Sequence, residues 1–268
     1  TWTAIGTLNK DFCGVFNGDG YAVCGIYINT RNAIQGLFGT NRHSVIANLG
    51  VAESYIYANS YWVGGVVGCN YGTVTNCYNT GSVVASGDYV GGVVGFSDGT
   101  VTDCYNVGSV TGNDKVGGVV GHNGYFFGTV TDCYNTGSVT GEWYVGGVVG
   151  ENNGTVTDCY NIGSVTGGSY VGGVVGHKEK GTVTNCYYYI DCCASSNSYG
   201  TALTNEQMLR AESFEGFDFE TVWTMDGNPG YPYPKLINNF QTASPTDNDV
   251  VFSVENVTAP SGPADGLG

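Results

Sequence analysis

An all-β repeat fold, a β-solenoid of the parallel β-helix kind with about 27 residues per coil and a short helix-containing C-terminal cap, is the class this sequence predicts. Three observations carry the prediction. The block GTVTNCYNTGSV at Gly72 returns with few changes at Gly99, Gly128, Gly154 and Gly181. A second block, VGGVVG, begins at Val63, Val90, Val116, Val145 and Val171. Successive copies of the first block lie 26 to 29 residues apart, and neither block carries a helical period. Self-similarity at this length marks stacked units that bury a common core. Val, Thr and Tyr broken by Gly and Asn read as short strands and turns, three strands to a coil. With coils about 4.8 Å apart, five clear copies and one or two worn ones give a body roughly 30 Å long.

In chain order, residues 1–33 read as an N-terminal cap or first coil, because an open solenoid end must be blunted. Cys13 and Cys24 flank FNGDGY there. If Val15–Phe16 and Tyr21–Ala22 form a hairpin, the two cysteines face each other and suit a disulfide; coil geometry is the alternative. Residues 34–190 are the repeats, and 34–51 is a worn copy in which Ile46 stands at the Val74 register and Leu49 at the Cys77 register. A register that accepts Leu is interior, which places the column Cys77, Cys104, Cys133, Cys159 and Cys186 inside. Single thiols one coil apart do not converge as tetrahedral zinc requires, and their in-register spacing is wide for a disulfide. They read as small buried hydrophobes. Cys192 or Cys193 could bridge back to Cys186, Cys69 has no evident partner, and ten cysteines suggest secretion.

Residues 191–240 form the C-terminal capping segment. Leu203–Glu212 reads as a helix with Thr204 as N-cap, Gln207 completing a capping box and Leu203 with Met208 as staple; FDFETVWTMDG then closes the last coil. Residues 241–268 read as a polar linker followed by an extended strand at Val250–Val257, either the start of another module or a donor strand.

Composition excludes several partners. The net charge is -15 with eight basic residues, which argues against nucleic acid and anionic membranes. No run approaches the ~18 apolar residues needed for membrane insertion. The chain opens directly on TWTAIGTL, which reads as a processed or excised piece.

VGGVVG together with GTVTNCYNTGSV, over about residues 30–190, resembles the GLUG motif of prokaryotic secreted and cell-surface proteins. The tail LTNEQM…FDFETVWTMDG is similar to what often follows such repeats. The resemblance implies a β-solenoid in an extracellular or surface-attached adhesion protein. GLUG repeats also accompany immunoglobulin-A-cleaving metallopeptidases, but no HExxH occurs here and the histidines are His43, His122 and His177. That activity is therefore not carried over.

Candidate chemistry lies in ladders. Asp103, Asp132 and Asp158 share one register with Asn76 and Asn185; stacked carboxylates could take calcium, or Asp and Asn there serve a corner by bonding local amides. Tyr78, Tyr105, Tyr134, Tyr160 and Tyr187 form an outward ladder that could bind a glycan or receptor, or simply stabilise the sheet. A second row holds Tyr61 or Trp62, Tyr89, Tyr144 and Tyr170, interrupted by Lys115. The Thr-x-Thr rows, from Thr73/Thr75 to Thr182/Thr184, resemble some ice-binding surfaces, although Thr is also a good exposed strand former. The charged stretch His177–Lys180 reads as a solvated edge. Since a catalytic centre is normally built once and these ladders repeat, the expectation is a non-enzymatic extracellular stalk or fibre protomer presenting rows of Tyr, Thr and Asn. It would assemble end to end or by donor strand, or bind a surface receptor. The alternative is a module binding calcium, glycan or ice.

Overall fold

β-Branched and aromatic residues between glycine bends give each coil short strands, and every coil pairs with the next in parallel and in register. The computed structural model describes residues 2–124, 126–194, 197, 199–226 and 231–238; the linker and strand expected at 241–268 lie outside them. One coil, for example, lays down Val94–Ser97, Thr100–Thr102, Tyr105–Asn106, Val110–Thr111 and Asp114–Gly117. Five short runs replace the three expected; Asp103 bends the chain through the left-handed region between the second and third, with φ of 53°. The first three runs belong to a 17-stranded sheet, the last two to a 9-stranded sheet.

Register is exact along the rungs. Phe16, Ile46, Val74, Val101, Val130, Val156 and Val183 pair in one column. Six spacings of about 4.8 Å make this column roughly 29 Å long. Ile46 pairs with Val74 and Leu49 with Cys77, as the worn copy implied. Residues 15–30 form a first coil rather than a hairpin: Val15–Asn17 and Ala22–Cys24 each pair in parallel with Phe38–Ala52. Cys13 and Cys24 therefore do not face each other across a turn. They are exposed, and none of the ten cysteines is in a disulfide. The expected Cys13–Cys24 and Cys186 bridges are corrected accordingly, because stacking on the next coil satisfies these strands instead.

The interior is sealed by valine. Val66, Val93, Val119, Val148 and Val174 are fully buried beside the cysteine column. Coils approach closely at the second glycine of VGGVVG. A Cβ on Gly118 would stand 2.1 Å from the Gly147 carbonyl oxygen and 2.4 Å from Asn135 Cγ. Gly118→Ala is expected to cost about 3 kcal/mol, read as a lower urea midpoint, because neither obstacle can swing away.

The C-terminal segment differs from expectation. The helix is one turn, Asn205–Met208, although the Thr204/Gln207 capping box is present. So short a helix has no stability of its own. Arg210 leaves it in extended conformation, and a 3₁₀ turn at Ala211–Ser213 brings Phe214 down. Thr201–Leu203 pairs in parallel with Tyr187–Tyr189 as a last rung. The rest does not close the coil end but runs along the flank as a strap. Within it, Trp223–Thr224 pairs antiparallel with Lys235–Leu236.

Candidate functional site

The strap decides what the tyrosine ladder can do. Tyr78, Tyr105, Tyr134 and Tyr160 stack nearly coplanar at 4.9–5.2 Å between centroids. Phe214 and Phe217 pack edge-on against Tyr187 at 5.2 and 5.7 Å, and Trp223 sits 5.7 Å from Tyr160 and 6.1 Å from Tyr134. Tyr187 donates its hydroxyl to the Glu215 carbonyl at 2.9 Å, and Tyr160 bonds Tyr231 at 2.6 Å and the Pro234 carbonyl. All five tyrosines are buried. The outward ladder expected to meet a ligand is thus corrected: it points away from the coil interior but forms a second core beneath the strap. The Tyr160 and Tyr187 phenols are held above their ordinary range, first by burial and then by neighbouring oxygens.

Asp103, Asp132 and Asp158 occupy a corner at φ of 51–53°, as do Asn48, Asn76 and Asn185 at φ of 49–55°. Asn and Asp are the non-glycine residues that tolerate this conformation best, which explains their interchange. The carboxylates are also engaged: Trp223 donates Nε1–H to Asp132 at 3.0 Å, and Asn185 donates to Asp158 at 3.0 Å. Among the described residues, no group of three or more His, Cys, Asp or Glu side chains could hold a metal ion. These observations weigh against the calcium expectation.

Burial pushes the Asp132 carboxyl up to about 7, opposed by the Trp223 hydrogen bond and assisted by Asp103 and Asp158. The folded form therefore holds this proton more tightly than the unfolded chain, where the value is near 3.9. The stabilisation is complete below pH ~4 and is lost as pH rises through about 7. Asp132→Asn keeps the acceptor and the corner. It is expected to raise stability at pH 8 by about 1–2 kcal/mol, after discounting for the half-exposed setting, and to change little at pH 4. Thermal melts at the two pH values check this.

The cysteine column is interior. Cys77, Cys104, Cys133, Cys159 and Cys186 are 0–3% exposed, and each donates its thiol to the carbonyl two residues earlier at 3.0–3.2 Å. Burial raises the Cys77, Cys133 and Cys186 thiols above their usual range, while at Cys104 and Cys159 hydrogen bonds from the neighbouring thiols outweigh burial and lower them. The Thr rows face outward from Val74 and its equivalents, half-buried in the central coils. Some of their hydroxyls bond along the row, as Thr129 does to Thr100 at 3.3 Å.

Two features escaped sequence reasoning. Asn79, Asn106, Asn135 and Asn161 are fully buried and hydrogen-bonded in series at 2.8–2.9 Å. The other is a charged cluster one register beyond the last glycine of VGGVVG. There, Cys69, Phe96, His122, Glu151 and His177 pair in sequence. Glu151 lies 2.8 Å from His122 Nδ1, 3.4 Å from His177 Nδ1 and 3.7 Å from Lys115 Nζ. Lys115 also meets Asp114 at 3.2 Å, and its Nζ stands 5.2 Å from the ring centroids of both Tyr89 and Tyr144. Burial pushes the Glu151 carboxyl up, but the His122 hydrogen bond and Lys115 hold it below its usual range. His177 thus belongs to a packed cluster, not to a solvated edge.

Comparison with known proteins comes to three findings. The GLUG motif family model matches residues 59–84, 112–140 and 141–166. No curated protein matches the chain. Among solved structures, the chain resembles a "putative immunoglobulin A1 protease from Bacteroides ovatus" with a TM-score of 0.63. Identity to it is 20%, over 83% of this chain and 77% of that one, which establishes likeness of fold alone. No described helix is long and apolar enough to cross a membrane. The chain therefore carries the GLUG motif at three of its repeats, and its coils stack in parallel register as a β-solenoid.

Proposed function

We propose that the chain is a non-enzymatic structural and adhesion segment of an extracellular or cell-surface protein, a stiff solenoid that holds side-chain rows at fixed spacing. The observation that carries this reading is the unbroken in-register stack, rung on rung from Phe16 to Val183, with valine, cysteine and asparagine filling it. Such a stack resists deformation because each rung is held by both neighbours. The GLUG motif supports a surface setting, and the repetition of the outward Thr register suits display better than turnover.

Two measurements test the two halves. Amide hydrogen exchange is expected to be slow throughout rungs 74–183, and rapid exchange in the middle coils would overturn the stiff segment. Displayed on a non-adherent bacterium, the chain is expected to raise retention on mucin-coated or matrix-coated surfaces under flow. Retention no better than with an unrelated displayed domain would overturn the adhesive half.

A further inference from the structure

With the first tyrosine ladder sealed, the second aromatic row becomes the surface of interest. Trp62, Tyr89, Lys115, Tyr144 and Tyr170 occupy one corner on five successive coils, all at φ of 49–63°. Four spacings give the strip a length of about 19 Å. Its two ends are aromatic and open: Tyr61 packs against Trp62 at 5.2 Å, and Trp143 approaches Tyr170 at 6.4 Å. Tyr61, Trp143 and Tyr170 are 46–53% exposed. Its centre is the polar cluster of Lys115, Glu151, His122 and His177.

Three polar atoms on this strip are buried without a hydrogen-bond partner: Trp62 Nε1, Asp114 Oδ1 and His177 Nδ1, the last with only the long 3.4 Å approach to Glu151. Native interiors rarely leave such groups unmade. Here they are a carboxylate acceptor, an imidazole nitrogen and an indole donor, set between aromatic rings. Few ligands match apolar faces at the ends and both donors and acceptors between. A polyhydroxylated chain does, since its C–H faces stack on rings and its hydroxyls donate and accept. An acidic polymer does not fit. Lys115 is already held by Asp114 and Glu151, and the chain carries a net charge of -15. An extended peptide would need an open strand edge, whereas the strands along the centre of the strip, at Val90–Gly91, Asp114–Gly117 and Val139–Gly146, are paired on both sides.

We infer that this strip, from Trp62 to Tyr170, is a binding site for a neutral glycan lying along the solenoid axis, held on the exposed rings of Tyr61, Trp143 and Tyr170. The inference rests on the adhesive reading and gives it a ligand class.

Affinity electrophoresis of the intact chain through gels containing a mannan, a galactan, a mixed-linkage β-glucan, polygalacturonate or hyaluronan tests it. Retardation by at least one neutral polymer is expected. The double variant Tyr144→Ala with Tyr170→Ala is expected to weaken it about tenfold or more, as loss of aromatic anchors does at recognition surfaces. Tyr144→Phe, which keeps the ring, is expected to retain it. Tyr27→Ala with Tyr55→Ala, another exposed stacked pair that lies on the first coils, is expected to leave it unchanged. No retardation by any neutral polymer, retardation by acidic polymers alone, or full retention in the Tyr144/Tyr170 variant would each overturn the site. Far-UV circular dichroism confirms that each variant is folded. A chain that binds none of these polymers yet shows slow exchange in its middle coils loses the site and keeps the stiff-segment reading.

Discussion

Trp223→Ala is expected to release the strap while leaving the solenoid folded. Trp223 is fully buried, stacks on Phe217 at 4.7 Å and donates to Asp132. Truncating a buried tryptophan costs about 3–5 kcal/mol. What else holds the strap is side-chain contact, the packing of Phe214 and Phe217 on Tyr187 and the hydroxyl bonds of Tyr160 and Tyr187, rather than pairing with the coils. Among the described residues, Trp223–Thr224 pairs only with Lys235–Leu236 and with no coil strand. The loss therefore falls on a local opening rather than on the global transition. Limited proteolysis should nick the variant between Asn205 and Leu236, and exchange should speed there, while the main melting transition moves by little. A single cooperative loss of the whole domain would show instead that strap and coils are one folding unit. Once opened, the strap leaves a flat stack of tyrosines in water, an apolar face that favours association. The variant is thus also expected to aggregate at lower concentration.

Asn135→Leu is expected to have the opposite distribution, with a large cost borne by the coils themselves. Asn135 accepts from Asn106 at 2.8 Å, donates to Asn161 and the Gly137 carbonyl at 2.8 Å each, and accepts from the Gly137 amide at 3.2 Å. Leucine is close in size but returns none of these bonds. It orphans groups on three coils, each worth about 1–3 kcal/mol when buried unpaired. Allowing for relaxation, the loss is expected to reach about 4–5 kcal/mol, in the range that marks a broken buried network. Urea unfolding followed by circular dichroism measures it. A loss below about 1 kcal/mol would mean that the ladder contributes little beyond shape. The same substitution at Asn76, which lies at a partly exposed corner, should cost far less.

Much of this architecture was legible because repetition multiplies weak signals. One Val-Thr alternation says little; five at a fixed interval fix which face is buried, and the worn copy with Leu49 at the Cys77 register tells inside from outside. Three things were not legible. The strap is one: LTNEQM and FDFETVW show a capping box and aromatics, but where they dock depends on a groove that exists only after the coils stack. That docking turned a presumed binding surface into core. The Asn ladders are another, since asparagine reads as a turn residue and only closure of the ladder from coil to coil makes its burial tolerable. The third is the cluster around Glu151. His122, Glu151 and His177 are far apart in sequence and differ in kind, so a search for identical rows passes over them, although they share one register.

The thiol column has a consequence for where such a chain can work. Its five sulfurs are sealed by valine and satisfied by carbonyls of their own coils, and none of the ten cysteines is cross-linked. The fold therefore draws nothing from the oxidising power of its surroundings. Its melting temperature should be the same with and without a strong reductant, whereas a disulfide-stapled domain would lose stability. Cysteine number, taken by itself as a sign of an oxidising destination, carries no such information here. A coil can be copied, sulfur included, without adding any dependence on an oxidase or an isomerase, so arrays of this kind can lengthen independently of the redox setting.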